Sequence, residues 1–418
     1  MRIRDVIITP VAFADPPLLN VTGVHEPYAL RSVLQLVCDD GLVGLGESYG
    51  DEDLLALARK VAERLVGVEI FDLPAVRRIA TEVVGGGIYA DRHGLTGGVS
   101  ASKTLQTVFS FFEVAMLDAQ GRFLGVPVVD LLGGKVRDRV EFSAYLFYKY
   151  AAHQGLRPDE WGAIDTPETV VGSARRMIDE YGFSSIKLKG GVFAPAEEVA
   201  AIHALRDAFP GLPLRIDPNG AWTPATGQWV AKELDGVLEY LEDPTPGIDG
   251  MARVAAYASM PLATNMCVVE FAHIPPAVAA KAVGVILSDH HFWGGLRLSG
   301  SLATLCETFG MGLSMHSNSH LGISLAAMVH LAGATGHLTY ACDTHWPWKT
   351  EDVIVPGVLS FEGGAVAVPD KPGLGVELDH DALARLHENY LSCGLKRRDD
   401  ATYMRRYVPD FQPNIARW

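Results

Sequence analysis

Two lysines stand two residues apart in the segment Ile186-Lys187-Leu188-Lys189-Gly190. Residues i and i+2 of a strand point to the same side, so both ammonium groups would enter one space. Two like charges held close repel, and a lysine with a lowered pKa is a usable general base. A KxK pair alone is common among solvated surface lysines, so its weight comes from the polar residues further along the chain. Asp217, Glu242 and Asn265 end three successive apolar runs. Three oxygen ligands from neighbouring strands suit a hard cation, Mg²⁺ above all, which takes about six oxygens and keeps positions open for water or substrate. Asp217 and Glu242 each precede a turn with a proline, Pro218 or Pro244, and either alone could cap the next helix. Further on, His316 ends one run and Asp289 ends the run before it. A carboxylate beside an imidazole orients it and stabilises its charged form.

A cation with a base on either side points to one class of chemistry. The substrate carboxylate binds the cation, a base removes the weakly acidic α-proton, and a neighbouring cation such as Lys187 stabilises the enediolate. A racemase returns the proton on the other face; a dehydratase expels a β-hydroxyl. A zinc hydrolase, suggested by His290, His291, His320 and His345, would want an HxH pair on the first strand, which reads Tyr145-Leu146-Phe147-Tyr148.

The elements that must position these groups are legible as a rhythm. From Val140 onward, short apolar runs end in polar residues and are followed by helical patterns. The runs are EFSAYLFY, SSIKLK, LRID, LEYLED, LATN, VGVILSD, GLSMHS and HLTYACDTH. Their polar ends, from Lys189 through Asp217, Glu242, Asn265, Asp289 and His316 to His345, recur every 23 to 29 residues. Eight such units predict an α/β fold, a (β/α)₈-type barrel whose active site gathers at the C-terminal strand ends. An open doubly wound sheet would carry a Gly-rich phosphate turn after its first strand, and no GxGxxG or GxxxxGK[ST] occurs. Residues 1–138 read as an α+β capping domain: alternating strands, a helix over 54–66, a Gly-rich loop and a long helix over 105–124. The barrel occupies 139–371. Residues 372–418 are expected to pack back on the capping domain and complete it.

The formal net charge of −15 argues against nucleic acid, whose binding needs clustered positive charge. An acidic chain that binds an anion must concentrate positive charge locally. The most apolar stretch, 321–338, is interrupted by His330, His337 and glycines and reads as a buried barrel helix rather than a membrane span. Five cysteines, odd in number and without a CxxC, read as reduced buried thiols. With no signal-like N-terminus, they predict a cytoplasmic protein. The expected partner is a small molecule, and the expected assembly a homo-oligomer.

At these residues the sequence resembles the enolase superfamily, and within it the glucarate dehydratases of the mandelate racemase-like group. The resemblance spans nearly the whole chain. It implies Lys189 as a base, Lys187 beside it, Mg²⁺ held by Asp217 and Glu242, and Asn265 as the third ligand, a feature of the glucarate dehydratases. The segment MHSNSHLGIS resembles theirs around the catalytic histidine and implies His316 with Asn318, and SDHHFWGG implies Asp289 as dyad partner. Substrate contacts implied by the resemblance are Asn20 and His25 in a loop that closes over the sugar, Thr104, Tyr145, Phe147, Ser317, His345 and Arg398. The arginine matches one that reaches a distal carboxylate. The segments 85–103 and 148–169, and the stretch after Glu242, depart from the family pattern and border the pocket. This leaves open a different acid sugar, an epimerase, or a relative with weak glucarate activity.

Overall fold

In a computed structural model of the chain, residues 1–89, 97–413 and 416–418 are described. The Gly-rich loop predicted ahead of the long helix is seen at its two ends; residues 90–96 lie outside the described part.

The N-terminal region is an antiparallel meander of Ile3–Ala14, Tyr28–Cys38 and Val43–Tyr49, with Tyr28–Cys38 central. Helices Glu52–Ala62, Leu73–Val84 and Ala101–Leu124 follow. The long helix starts at Ser100, whose hydroxyl accepts the Lys103 N–H at 3.0 Å, and stops at left-handed Gly125. It lies so close to the third strand that a Cβ at Gly44 would stand 2.2 Å from the Ala115 carbonyl oxygen. The glycine of the VGLGES run is therefore what lets backbone meet backbone.

Seven parallel strands form the barrel wall in chain order: Ala144–Phe147, Ile186–Lys189, Leu214–Asp217, Tyr240–Glu242, Leu262–Thr264, Val285–Ser288 and Gly312–Met315. Each is followed by a helix, and each is buried along its length except at Gly312, as strands covered on both faces must be. Two of the eight predicted runs depart from regular strands. The first breaks at Phe142-Ser143: Arg139–Glu141 leaves the barrel to pair with Ala365–Ala367. The eighth makes no ladder. Its segment 339–343 is stitched between the first and last strands through Ser143 N–H to Cys342 O (2.9 Å), Cys342 N–H to Glu141 O (2.8 Å) and Asp343 N–H to Met315 O (2.9 Å). The Thr339 hydroxyl accepts the Leu313 N–H at 2.8 Å where a strand would offer a carbonyl. The barrel is thus closed by an irregular eighth segment.

The C-terminal helix His380–Ser392 packs on the first N-terminal strand, with His387 Nδ1 2.7 Å from the Pro10 carbonyl oxygen. Helix Asp400–Met404 packs against the hairpin of Leu19–Asn20 and Gly23–Val24. One large apolar core runs from Val11, Phe13 and Leu18 of the N-terminal region into the barrel, and a second is built by the N-terminal region with Phe292 of the barrel. Among the described residues no helix is long and apolar enough to cross a membrane. Helix Gly322–Ala334 is buried in the barrel up to its last residue. All five cysteines are free thiols, three of them buried.

Candidate active site

The second barrel strand carries both lysines to the same end of the barrel. Lys187 is fully buried, its Nζ 2.6 Å from Glu242 Oε2, 2.7 Å from Asp343 Oδ2 and 3.9 Å from Asp217 Oδ2. The ammonium also lies 4.6 Å from the centre of the Tyr145 ring. Burial would push its pKa down, but Asp343 and Glu242 outweigh that and hold it well above the ordinary lysine value. The expected mutual depression of the two lysines therefore does not govern Lys187: carboxylates in contact count for more than a like charge further off. Lys189 donates to Asp217 Oδ2 at 2.6 Å and to Asn219 Oδ1.

The third, fourth and fifth strands end in Asp217, Glu242 and next to Asn265. Glu242 Oε2 faces the Lys187 ammonium, while Glu242 Oε1 and both polar side-chain atoms of Asn265 are buried without a partner among the described residues. Burial, with Asp217 beside it, pushes the Glu242 carboxyl well above its usual range despite Lys187. Buried acceptors without donors are costly. A divalent cation is the kind of group that would satisfy them, so the donor set fits Mg²⁺. Asp243 braces this edge: its carboxylate accepts the Thr264 hydroxyl at 2.5 Å and the Asn265 N–H at 2.9 Å. Asn219 and Asp243, each just past a ligand, hold left-handed backbone at φ 54° and 36°, conformations that cluster where structure constrains a site.

Across the barrel mouth, Asp289 Oδ2 lies 3.1 Å from His316 Nδ1, and Asp289 Oδ1 lies 2.7 Å from His291 Nδ1. Burial raises the Asp289 pKa, but the two histidines more than reverse this and hold it well below the carboxylate norm. Asp289, His290 and His291 are close enough together to suggest a metal cluster. Both Asp289 oxygens and both His291 nitrogens already have hydrogen-bond partners, which argues against an ion there. Ser317 Oγ reaches His320 Nε2 at 3.3 Å and His345 Nδ1 at 3.4 Å. Asn318 turns back to accept the Ser319 N–H at 2.9 Å.

The remaining contacts form the roof. Phe147 packs against Tyr145, His345 and His25, with ring centres 4.6, 5.2 and 5.9 Å apart. Burial, and then His25, His320, His316 and Lys189 in turn, hold the His345 pKa well below the histidine norm. His25 Nδ1 pairs with Asp15 at 3.0 Å, while its buried Nε2 has no partner among the described residues. Asn20 Nδ2 donates to Asp400 Oδ2 at 3.0 Å. Arg398, buried, forks onto Asp400 with two bonds of 2.7 Å, so its guanidinium already faces a carboxylate of its own chain. Thr104 is not brought into this set: its hydroxyl donates to the Ser100 carbonyl at 3.0 Å and accepts the Tyr89 N–H at 2.8 Å.

Sequence reasoning missed Asp343, Asn219 and Asp243. Asp343 sits in the irregular eighth segment, where strand periodicity gives no sign of its direction. Asn219 and Asp243 directly follow the ligand motifs, and DPN and EDP were the available signals.

A family model described as the mandelate racemase / muconate lactonizing enzyme N-terminal domain matches residues 3–133, and the enolase C-terminal domain-like model matches 169–382. The chain belongs to the enolase superfamily. Within this superfamily it is 53% identical to a "probable glucarate dehydratase" of Streptomyces coelicolor, over 100% of this chain and 99% of that one. An enolase from Thermobispora bispora, solved with magnesium and formate, is 60% identical with a TM-score of 0.99, covering 100% of both chains. One from Mycobacterium smegmatis, solved with tartrate, is 62% identical with a TM-score of 0.96, covering 100% of this chain and 98% of that one. As an enolase-superfamily protein the chain is an enzyme, and the irregular closing segment is part of its barrel.

Proposed function

We propose that this enzyme is a Mg²⁺-dependent hydro-lyase that dehydrates a six-carbon aldarate of the D-glucarate or L-idarate type to a keto-deoxy-glucarate. The coarser class, an acid-sugar dehydratase, is supported by the relative that is 53% identical over the full chain. The observation that carries the reading is the pairing of an unsatisfied oxygen-donor set with two separate proton-transfer groups. Among the described residues, Glu242 Oε1 and Asn265 Oδ1 are buried without a hydrogen-bond donor, Lys189 stands beside them on Asp217, and the His316–Asp289 pair enters from other strands.

Asp217, Glu242 and Asn265 would hold the cation, which when bound polarises the substrate carboxylate and stabilises negative charge on it. Lys187, kept charged by Glu242 and Asp343, supplies fixed positive charge to the enediolate. Lys189 and His316 are the groups that remove the α-proton, each serving one epimer. The other returns a proton or helps the β-hydroxyl leave as water. Tyr145, Phe147, Ser317, Asn318, His345, His25 and Asn20 line the path of the sugar, and Arg398 is the fork for its distal carboxylate. That last role requires the substrate to compete with Asp400. The tartrate in the M. smegmatis structure, a hydroxy-diacid, supports a diacid substrate.

The test is a screen of mono- and diacid sugars with Mg²⁺, read by NMR in D₂O. Keto-deoxy product from glucarate or idarate, with deuterium at the former α-carbon of recovered substrate, is the expected result. Product from monoacids alone, or from none, overturns the substrate reading.

A further inference from the structure

Three buried side chains with no part in the chemistry above are joined to its dyad. Arg31 comes from the central strand of the N-terminal meander and Glu47 from the edge strand, and their side chains are 1% and 0% exposed. The Glu47 carboxylate accepts N–H groups of Leu321 and Ser324, both at 2.8 Å, where helix Gly322–Ala334 begins. It also accepts Arg31 Nε at 2.8 Å. Arg31 Nη2 then lies 3.1 Å from Ser324 Oγ and 2.9 Å from His291 Nε2. His291 Nδ1 meets Asp289, and Asp289 meets His316.

The chemistry of these groups sets every proton in the chain. A guanidinium has donors only and keeps its charge. His291 Nε2 lies 2.9 Å from both this guanidinium and the Ser324 hydroxyl, which itself accepts from Arg31; the guanidinium makes Nε2 the acceptor and leaves the ring hydrogen on Nδ1 to be donated to Asp289. The His291 backbone N–H, at 2.9 Å, donates to the same Asp289 oxygen. That oxygen is occupied by two neutral donors, and the other is left to face His316 Nδ1. His316 is then held with its hydrogen on Nδ1 and its Nε2 as the proton-accepting atom. The groups facing His291 come from both the N-terminal region and the barrel. From the N-terminal region these are Arg31, Glu47 through Arg31, and Tyr49, whose ring centre is 5.6 Å away. From the barrel they are Asp289, His290 with its ring centre at 4.0 Å, His316, Ser324 and His320. A hydrogen on Nε2 would set two donors, His291 and Arg31 Nη2, against each other with only Ser324 Oγ to accept from both.

We propose that Arg31, Glu47 and His291 are positioning residues, through which the N-terminal domain fixes the tautomer of His291 and thereby the orientation of the His316 base. The proposal rests on the reading of His316 as a proton-transfer group. It is tested on the Mg²⁺-loaded enzyme with two epimeric diacids, using Lys189→Ala and His316→Ala to show which epimer gives its α-hydrogen to which base. His291→Leu should slow deuterium exchange on the His316 side by about 10–100-fold, the usual effect of removing such a supporting partner, and leave the Lys189 side unchanged. His291→Asn, whose amide nitrogen can stand in for Nδ1 as donor, should restore most of it. Equal losses on both sides, or none on either, overturn the proposal. If the unmodified enzyme exchanges neither hydrogen, the functional reading has failed. The ¹⁵N shifts of His291 in the unmodified protein then decide the positioning claim. A ring with its hydrogen on Nδ1 and a bare Nε2 supports it; a hydrogen on Nε2 overturns it.

Discussion

Lys187 and Lys189 are the same residue type on the same strand, yet their surroundings divide their roles. Lys187 touches Glu242 and Asp343 and is held charged; Lys189 touches Asp217 and Asn219. If the pair of bases is read correctly, Lys189→Ala and His316→Ala should each abolish dehydration. Loss of one acid/base group costs about 10²–10⁴ in rate, and each variant should keep α-deuterium exchange only for the epimer served by the surviving base. Full dehydration by His316→Ala would remove the assignment. Asn265 has no partner for either polar atom among the described residues, so Asn265→Ala leaves fewer of these buried groups unsatisfied in the apo protein while removing one ligand. Its thermal stability without metal should hold, and the Mg²⁺ concentration for half-maximal activity should rise. An unchanged metal requirement would exclude Asn265 as a ligand.

At the scale of elements, the N-terminal and C-terminal segments hold the barrel by carboxylates aimed at backbone. Glu113, on the long helix, accepts the N–H groups of Leu296 and Arg297 at 2.9 and 3.2 Å, at the start of barrel helix Gly295–Thr308. Burial, only partly offset by these bonds, pushes its pKa to about 7 from 4.5. The folded protein then holds a proton that the unfolded chain has released. Its contribution to stability is present below about 4.5 and is lost as the pH rises through about 7. Glu113→Gln should remove that slope, so the melting temperature of the parent should fall relative to the variant between about pH 5 and 8. Parallel curves would show that Glu113 titrates normally. The hairpin bearing Asn20 is held in another way, by Asp400, which also pairs with Arg398. Asp400→Ala leaves Arg398 buried without that partner, a change worth about 3–5 kcal/mol. We expect a lower melting temperature and a KM that rises more than kcat falls.

At the scale of the molecule, the chain carries a net charge of −15 but gathers Lys187, Lys189, Arg398 and several histidines around one mouth. Beside it, a small hollow lined by Phe13, Asp15, Ser319, His320, His345, Trp348 and Lys349 holds about 10 Å³, room for one water at most. A dianion must approach against the overall field. Local positive charge screened by salt then sets its capture, so KM for a diacid should rise with ionic strength more steeply than for a monoacid. Equal salt dependence would show that the distal carboxylate meets no positive charge.

The barrel, the order of its strands and the chemical types at their ends were legible from the chain alone. Strand periodicity tells which residues share a side, and a parallel barrel brings every C-terminal strand end to one mouth. Hence Lys187, Lys189, Asp217, Glu242, Asp289 and His316 could be picked out before any coordinates. Only the tertiary structure decided which groups these residues meet. Asp343 on Lys187, Arg31 on His291 and Asp400 on Arg398 depend on how side chains pack. Two of these pairs join residues far apart in sequence, and no spacing rule encodes such a meeting. The same holds for the eighth segment. Its apolar pattern is that of a strand, but the Thr339 hydroxyl replaces a ladder carbonyl, and that competition is settled only when the barrel closes.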